Sequence, residues 1–145
     1  MLFDSKNSKM GITTDVKLDM INELEENQIL FYQTKEDKIN IDVYFAHETF
    51  WLSQKKIAEL FDVEIATINY HLKEVYTTKE LEEESTIRNF LIVQKEGARE
   101  VKREVRFYNL DVIIAVGYRV NSKQATQFRK WATQTLERVV MRFIS

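Results

Sequence analysis

His47 and His71 are the only imidazoles in a 145-residue chain that has no cysteine and no proline. Neither histidine has a second His four residues away beside an acid, and without thiolates no Cys-based zinc centre, disulfide or thiol nucleophile can form. Gly11, Gly97 and Gly117 are the three glycines, too scattered for a phosphate-cradling loop, which excludes nucleotide-hydrolysing motifs. Glu82, Glu83 and Glu84 are consecutive, and a helix sends neighbouring side chains in different directions, so they cannot act as an acid and base pair. These residues predict no enzyme, no metal and no cofactor. The chemistry left to the chain is recognition by hydrogen bonds, charge and apolar contact.

The strongest pattern runs from Leu52 to Leu72 and has the spacing of a helix-turn-helix. Ser53 is placed to cap a first helix with inward positions Ile57, Ala58, Leu60 and Phe61. Ala58 is the small residue that lets two helices approach, Val63 plugs the turn, and Ile68 returns the second helix to the core. Asp62 stands where glycine is usual, and aspartate tolerates the left-handed conformation better than most residues. The second helix, about Ile65 to Tyr76, turns Ile68, Leu72 and Val75 inward. Glu64, Ile65, Ala66, Asn69, Tyr70 and Lys73 then point outward. Asn69 has the donor and acceptor pair that reads adenine in the major groove, Ile65 and Ala66 suit a thymine methyl, and Lys73 suits a phosphate. A helical hairpin with no ligand fits the same spacing, and the outward face has no arginine.

Charge points the same way. Residues 1–84 hold nine lysines against eighteen acids, net −9, whereas residues 85–145 hold twelve Lys or Arg against five acids, net +7, with all eight arginines between Arg88 and Arg142. Such a split predicts either an anionic partner for the C-terminal part or mutual neutralisation of the two parts within one fold. A hairpin predicted over 86–108 carries Lys95, Arg99, Lys102, Arg103 and Arg106, with Lys95, Arg99 and Lys102 nominated for phosphates beside double-stranded DNA. Glu96, Glu100 and Glu104 interleave with these cations, a pattern that ordinary exposed strands also show.

The elements that must position these residues form one α+β unit over 28–145, preceded by a poorly ordered acidic arm, 1–27, with a short helix from Lys17 to Glu26. Alternation predicts a first hairpin around Lys35 to Asp37, with Ile39, Ile41, Val43 and Phe45 on one face. Thr77 and Glu80 suggest a capping box for a short helix through Glu84. In the second hairpin Val101, Val105 and Phe107 are expected to pack on the last two helices, against Ile113, Ile114, Phe128 and Ala132. Asn109 caps the first of these helices, and a break at Val120 to Ser122 starts the second. The whole reads as a helix-turn-helix between two β-hairpins followed by two C-terminal helices, winged-helix-like. Trp131, Val140 and Met141 fall off the apolar stripe of the last helix and suggest a homodimer through it. The longest apolar run is the five residues Val112 to Val116, too short for a membrane span. The absence of an apolar stretch near Met1 and of cysteine suits a cytoplasmic location.

Three runs, Phe50 to Phe61, Tyr108 to Ser122 and Thr126 to Ala132, resemble in order the RhuM family of virulence-associated proteins, over about Ile29 to Val140. More loosely, the order of helix-turn-helix, hairpin, Tyr-Asn-Leu helix and Phe-Arg-x-Trp helix is similar to the Bro-N class of phage and viral antirepressor domains. The resemblance implies a bacterial protein carried on mobile or pathogenicity-associated DNA that acts as a DNA-binding regulator. It also implies a shortened form or an isolated N-terminal domain, because family members commonly continue beyond the Trp-containing helix. Some relatives are joined to Fic-type modules, but their His-Pro-Phe signature needs a proline that this chain lacks. The alternative function is a protein-protein interaction module that keeps the fold without binding DNA.

Overall fold

A computed structural model describes residues 28–34, 36 and 38–144, with side chains described for 29–34, 36 and 38–139. The arm 1–27 with its predicted helix, and most of the turn at Lys35 to Asp37, lie outside the described residues. The elements are β1 (Gln28–Thr34), β2 (Ile39–Ala46), β3 (Thr49–Ser53), α1 (Gln54–Phe61), α2 (Ile65–Thr77), α3 (Glu83–Thr86), β4 (Ile87–Glu96), β5 (Arg99–Asn109), α4 (Leu110–Val120) and α5 (Ser122–Ile144). The strands form one antiparallel sheet in the order β1-β2-β3-β5-β4.

Local chemistry sets the helix ends. Ser53 Oγ accepts the Lys56 amide at 3.3 Å and starts α1. At its far end Asp62 adopts φ 57, ψ 51, Val63 N–H donates to the Ala58 carbonyl at 3.0 Å and Asp62 N–H to Glu59 at 3.3 Å. This is the double bond of a Schellman motif, with aspartate in the place glycine usually takes. Asn109 Oδ1 caps α4 through the Val112 amide at 3.3 Å. Asn121 ends α4, and its Oδ1 accepts the Gln124 amide at 3.3 Å to start α5.

The sheet has two unequal faces. Ile39, Ile41, Val43 and Phe45 are all buried, as their alternation predicts. They share a helix-covered core with Phe50, Leu52 and Tyr108 from the sheet and with Phe61, Ile68, Val116 and Phe128 from the helices. The opposite face carries a smaller cluster of Ala46, Trp51 and Phe107, with Tyr44, Phe90, Ile92 and Val105 against it. Here the Trp51 indole donates to the Ala46 carbonyl at 2.8 Å across the β2–β3 turn. Burial among these groups and the nearby Asp42 charge push the Tyr44 phenol up to about 12.

Four expectations need correction. Phe107 and Val105 pack in the smaller cluster rather than against Ile113, Ile114, Phe128 and Ala132. Phe107 pairs with Ser53 and Arg88, whereas Tyr108 pairs with Leu52 and Ile87; the pleat gives only one of two successive residues to the helices, and Tyr108 takes that side. Val101 lies further out and belongs to neither cluster. Thr77 is still inside α2, which ends at Thr78 with its hydroxyl donating to the Glu74 carbonyl at 2.8 Å, so there is no capping box and α3 begins only at Glu83. Finally, Trp131 is half-buried, with its ring centroid 5.1 Å from both Tyr32 and Phe50. It is core rather than a self-association surface, and the side chains of Val140 and Met141 lie outside the described residues.

Gly117 sits where no side chain fits. A Cβ there would lie 2.4 Å from Phe61 Cζ and 2.9 Å from Ala125 Cβ. Gly117→Ala is therefore expected to lower stability by about 1 to 3 kcal/mol, the usual cost of overpacking, measured by urea denaturation. Phe107→Ala is expected to cost about 3 to 5 kcal/mol. In double-mutant cycles Phe107 should couple with Trp51→Ala and add independently with Phe128→Ala; the reverse pattern would put Phe107 back on the helix side.

Candidate nucleic-acid interface

Helix α2 is held to the core by Ile68, Leu72 and Val75, all buried. Because 3.6 residues make a turn, fixing those three fixes what faces water. Ile65, Ala66, Asn69, Tyr70 and Lys73 are all exposed, as is Glu64 at the helix start. Ile65 is 49% and Tyr70 61% exposed, among the few large hydrophobic residues left in solvent. The nominated helix residues thus share one open face.

Both flanks of α2 are tied down. Gln54 of α1 donates to the Ile65 carbonyl at 3.5 Å. Near the C-terminal end the Glu74 carboxylate meets His71 Nδ1 at 2.8 Å and Arg119 Nε at 3.5 Å, while Arg119 also binds Glu80 at 2.5 Å. The hydrogen bond it donates to the Glu80 carboxylate is the main reason the Arg119 guanidinium is held above its ordinary pKa. Arg119 is thereby engaged in joining α4 to α2 and to the loop after it.

The hairpin residues are not brought together as the sequence suggests. The strands run on to Glu96 and Arg99, so the turn is the two residues Gly97 and Ala98 rather than Lys95 to Arg99. Gly97 has φ +68, the left-handed conformation a tight hairpin turn needs at its first central position. The register pairs Lys95 with Glu100 and Val93 with Lys102, so Lys95 and Lys102 share the face that Ile87 and Tyr108 present to the helices. Arg99, paired with Glu96, points to the opposite face. Arg106 joins Lys95 and Lys102; its parity with Lys102, four residues away on the same strand, was the available signal. All four cations are exposed. Arg103 is different, bound through two nitrogens to Glu96 at 2.6 and 2.8 Å.

A cleft of about 360 Å³ lies between the start of β2 and the α4–α5 junction, lined among others by Lys38, Glu59, Asp62 and Asn121. Its charges are mixed. Among the described residues no group of three His, Asp or Glu stands close enough to hold a metal ion, and no helix is long and apolar enough to cross a membrane.

The fold and the exposed face define an α+β protein whose helix-turn-helix spacing is laid on one side of an antiparallel sheet. Residues 85–144, from the end of α3 through the hairpin, α4 and α5, match the family model of the Virulence protein RhuM family. The runs Tyr108 to Ser122 and Thr126 to Ala132 fall inside this segment, and Phe50 to Phe61 falls outside it. The likeness to Bro-N domains rests on element order alone. No curated protein and no solved structure matched the chain.

Because Arg119 is partly exposed, its clamp is expected to contribute little and to fade with salt. Arg119→Met should lower stability by about 1 kcal/mol at low ionic strength and by less at high ionic strength, measured by denaturant titration at both.

Proposed function

We propose that the chain is a DNA-binding regulator of virulence-associated type, which reads the major groove of double-stranded DNA with the outward face of α2. The observation that carries this reading is the coexistence on one rigid helix of the exposed residues Ile65, Ala66, Asn69, Tyr70 and Lys73. A merely solvated face has no use for Ile65 and Tyr70 half exposed or more. A groove does, because thymine methyls and sugar edges are apolar and Asn69 completes the contact with two hydrogen bonds to adenine.

The hairpin supports the reading from the flank. Strand β3, the helix pair α1–α2 and the strands β4 and β5 follow one another in sequence, with β5 between β3 and β4 in the sheet. This order agrees with a winged-helix arrangement. Lys95, Lys102 and Arg106 share the sheet face on which α2 lies, which suits phosphates bordering the same groove, whereas Arg99 faces away and takes a lesser part. The match of 85–144 to a virulence-protein family supports a role in that setting. On this reading the protein works in the cytoplasm and carries no catalytic group.

Glu64 is the observation favouring the other reading, a protein-interaction module, because an exposed acid at the start of α2 repels phosphates unless it accepts from cytosine. Two substitutions separate the readings. Asn69→Ala should lose about 1 to 3 kcal/mol on the preferred duplex and relax sequence preference. Lys73→Ala should weaken matched and scrambled duplexes alike and lower the salt slope by about one. Unchanged affinities for both variants in anisotropy titrations would hand the face to a protein partner.

A further inference from the structure

The two edges of the sheet are protected very differently. An edge strand presents unpaired N–H and C=O groups, and soluble proteins blunt such edges with charge, proline, bulges or a covering element. The β4 edge follows this rule, carrying Arg88, Lys95 and Glu96. The β1 edge, Gln-Ile-Leu-Phe-Tyr-Gln-Thr, has no charged residue and no proline. Its register with β2 runs without a bulge from Gln28 opposite Phe45 to Thr34 opposite Ile39. Among the described residues no strand pairs with its outer side. On the sheet face away from the helices, β1 also leaves Ile29 46% and Phe31 58% exposed.

We infer that β1 is the seam of a homodimer, in which the β1 strands of two copies pair antiparallel about a two-fold axis at Phe31 and join the two sheets into one. Self-pairing places each strand's charges opposite their own kind, and like charges across a ladder are destabilising; a strand with none meets no such penalty. Phe31 is the midpoint of the seven-residue strand, so the two-fold sets Phe31 against Phe31 of the partner subunit and Ile29 against Gln33 of the partner subunit. The exposed rings then cover one another on the open face, while outward N–H and C=O groups of one edge meet those of the other. This seam uses a different element from the C-terminal helix, and it stands independently of DNA binding.

The absence of cysteine gives a clean test, because one introduced thiol reports one contact. Light scattering should give the mass of a dimer at micromolar concentration, and Phe31→Lys, which sets like charges together on the axis, should weaken it at least about tenfold while melting as a folded protein. Under mild oxidation Phe31→Cys should form a disulfide-linked dimer, whereas Ile65→Cys, similarly exposed on α2, should not. A monomeric wild type overturns the inference, whether the edge is bare or is covered by residues 1–27 of its own chain. So does a dimer that Phe31→Lys leaves intact, or one in which Phe31→Cys fails to cross-link.

Discussion

Phe61 ends α1 by driving its ring into the angle between α4 and α5, where Gly117 and Ala125 are small enough to admit it. The backbone is caught at the same point, since Asn121 Nδ2 donates to the Phe61 carbonyl at 3.3 Å while its own Oδ1 starts α5. Everything about the candidate face follows from this junction. With Phe61 seated, the left-handed residue Asp62 sets the turn and Val63 enters it partly buried. The direction of α2, and hence the residues it offers to solvent, is then determined. The admitting residues all belong to the segment matched to the RhuM family, while the helix pair precedes it. The matched segment thus supplies the bed on which the helix pair α1–α2 lies, and the two share one hydrophobic core.

The charge split within the chain is resolved in part by the same contacts. Arg119, from the basic part, binds Glu74 and Glu80 of the acidic part, which is the neutralisation within one fold that the composition allows. The hairpin cations are not consumed in this way. Arg103 is paired within its own hairpin, and Lys95, Lys102 and Arg106 stand exposed on the helix-side face. Glu100, opposite Lys95, and Glu104 lie on the same face, so an anion meeting that side of the molecule finds three cations interleaved with two acids.

What could be read from the sequence depended on which periodicity carried it. The inward residues of α1 and α2 were legible because burial on a helix repeats at three and four residues, and the outward five follow by subtraction. Strand β3 was not legible. Phe50, Trp51 and Leu52 are buried together because both faces of the strand are covered, and three consecutive apolar residues show no alternation. The second hairpin was legible as a hairpin but not in orientation. Alternation divides Phe107 from Tyr108, yet both are buried, and only pairing with β3 decides which side the helices take. Arg99 does not share the sheet face of Lys95 and Lys102, and the turn is the reason. A loop of five residues leaves side-chain directions open, whereas the two-residue turn at Gly97 extends the pleat to the tip and sends Arg99 to the far face.

The central claim, that this helix face meets DNA, is tested most directly by the salt dependence of duplex binding by the unaltered protein. Fluorescence anisotropy with labelled genomic fragments at several salt concentrations should give an affinity whose logarithm falls linearly with the logarithm of salt. The slope should correspond to a handful of phosphate contacts, about four for Lys73, Lys95, Lys102 and Arg106. Absence of binding at low salt, or an affinity indifferent to salt, would contradict the account.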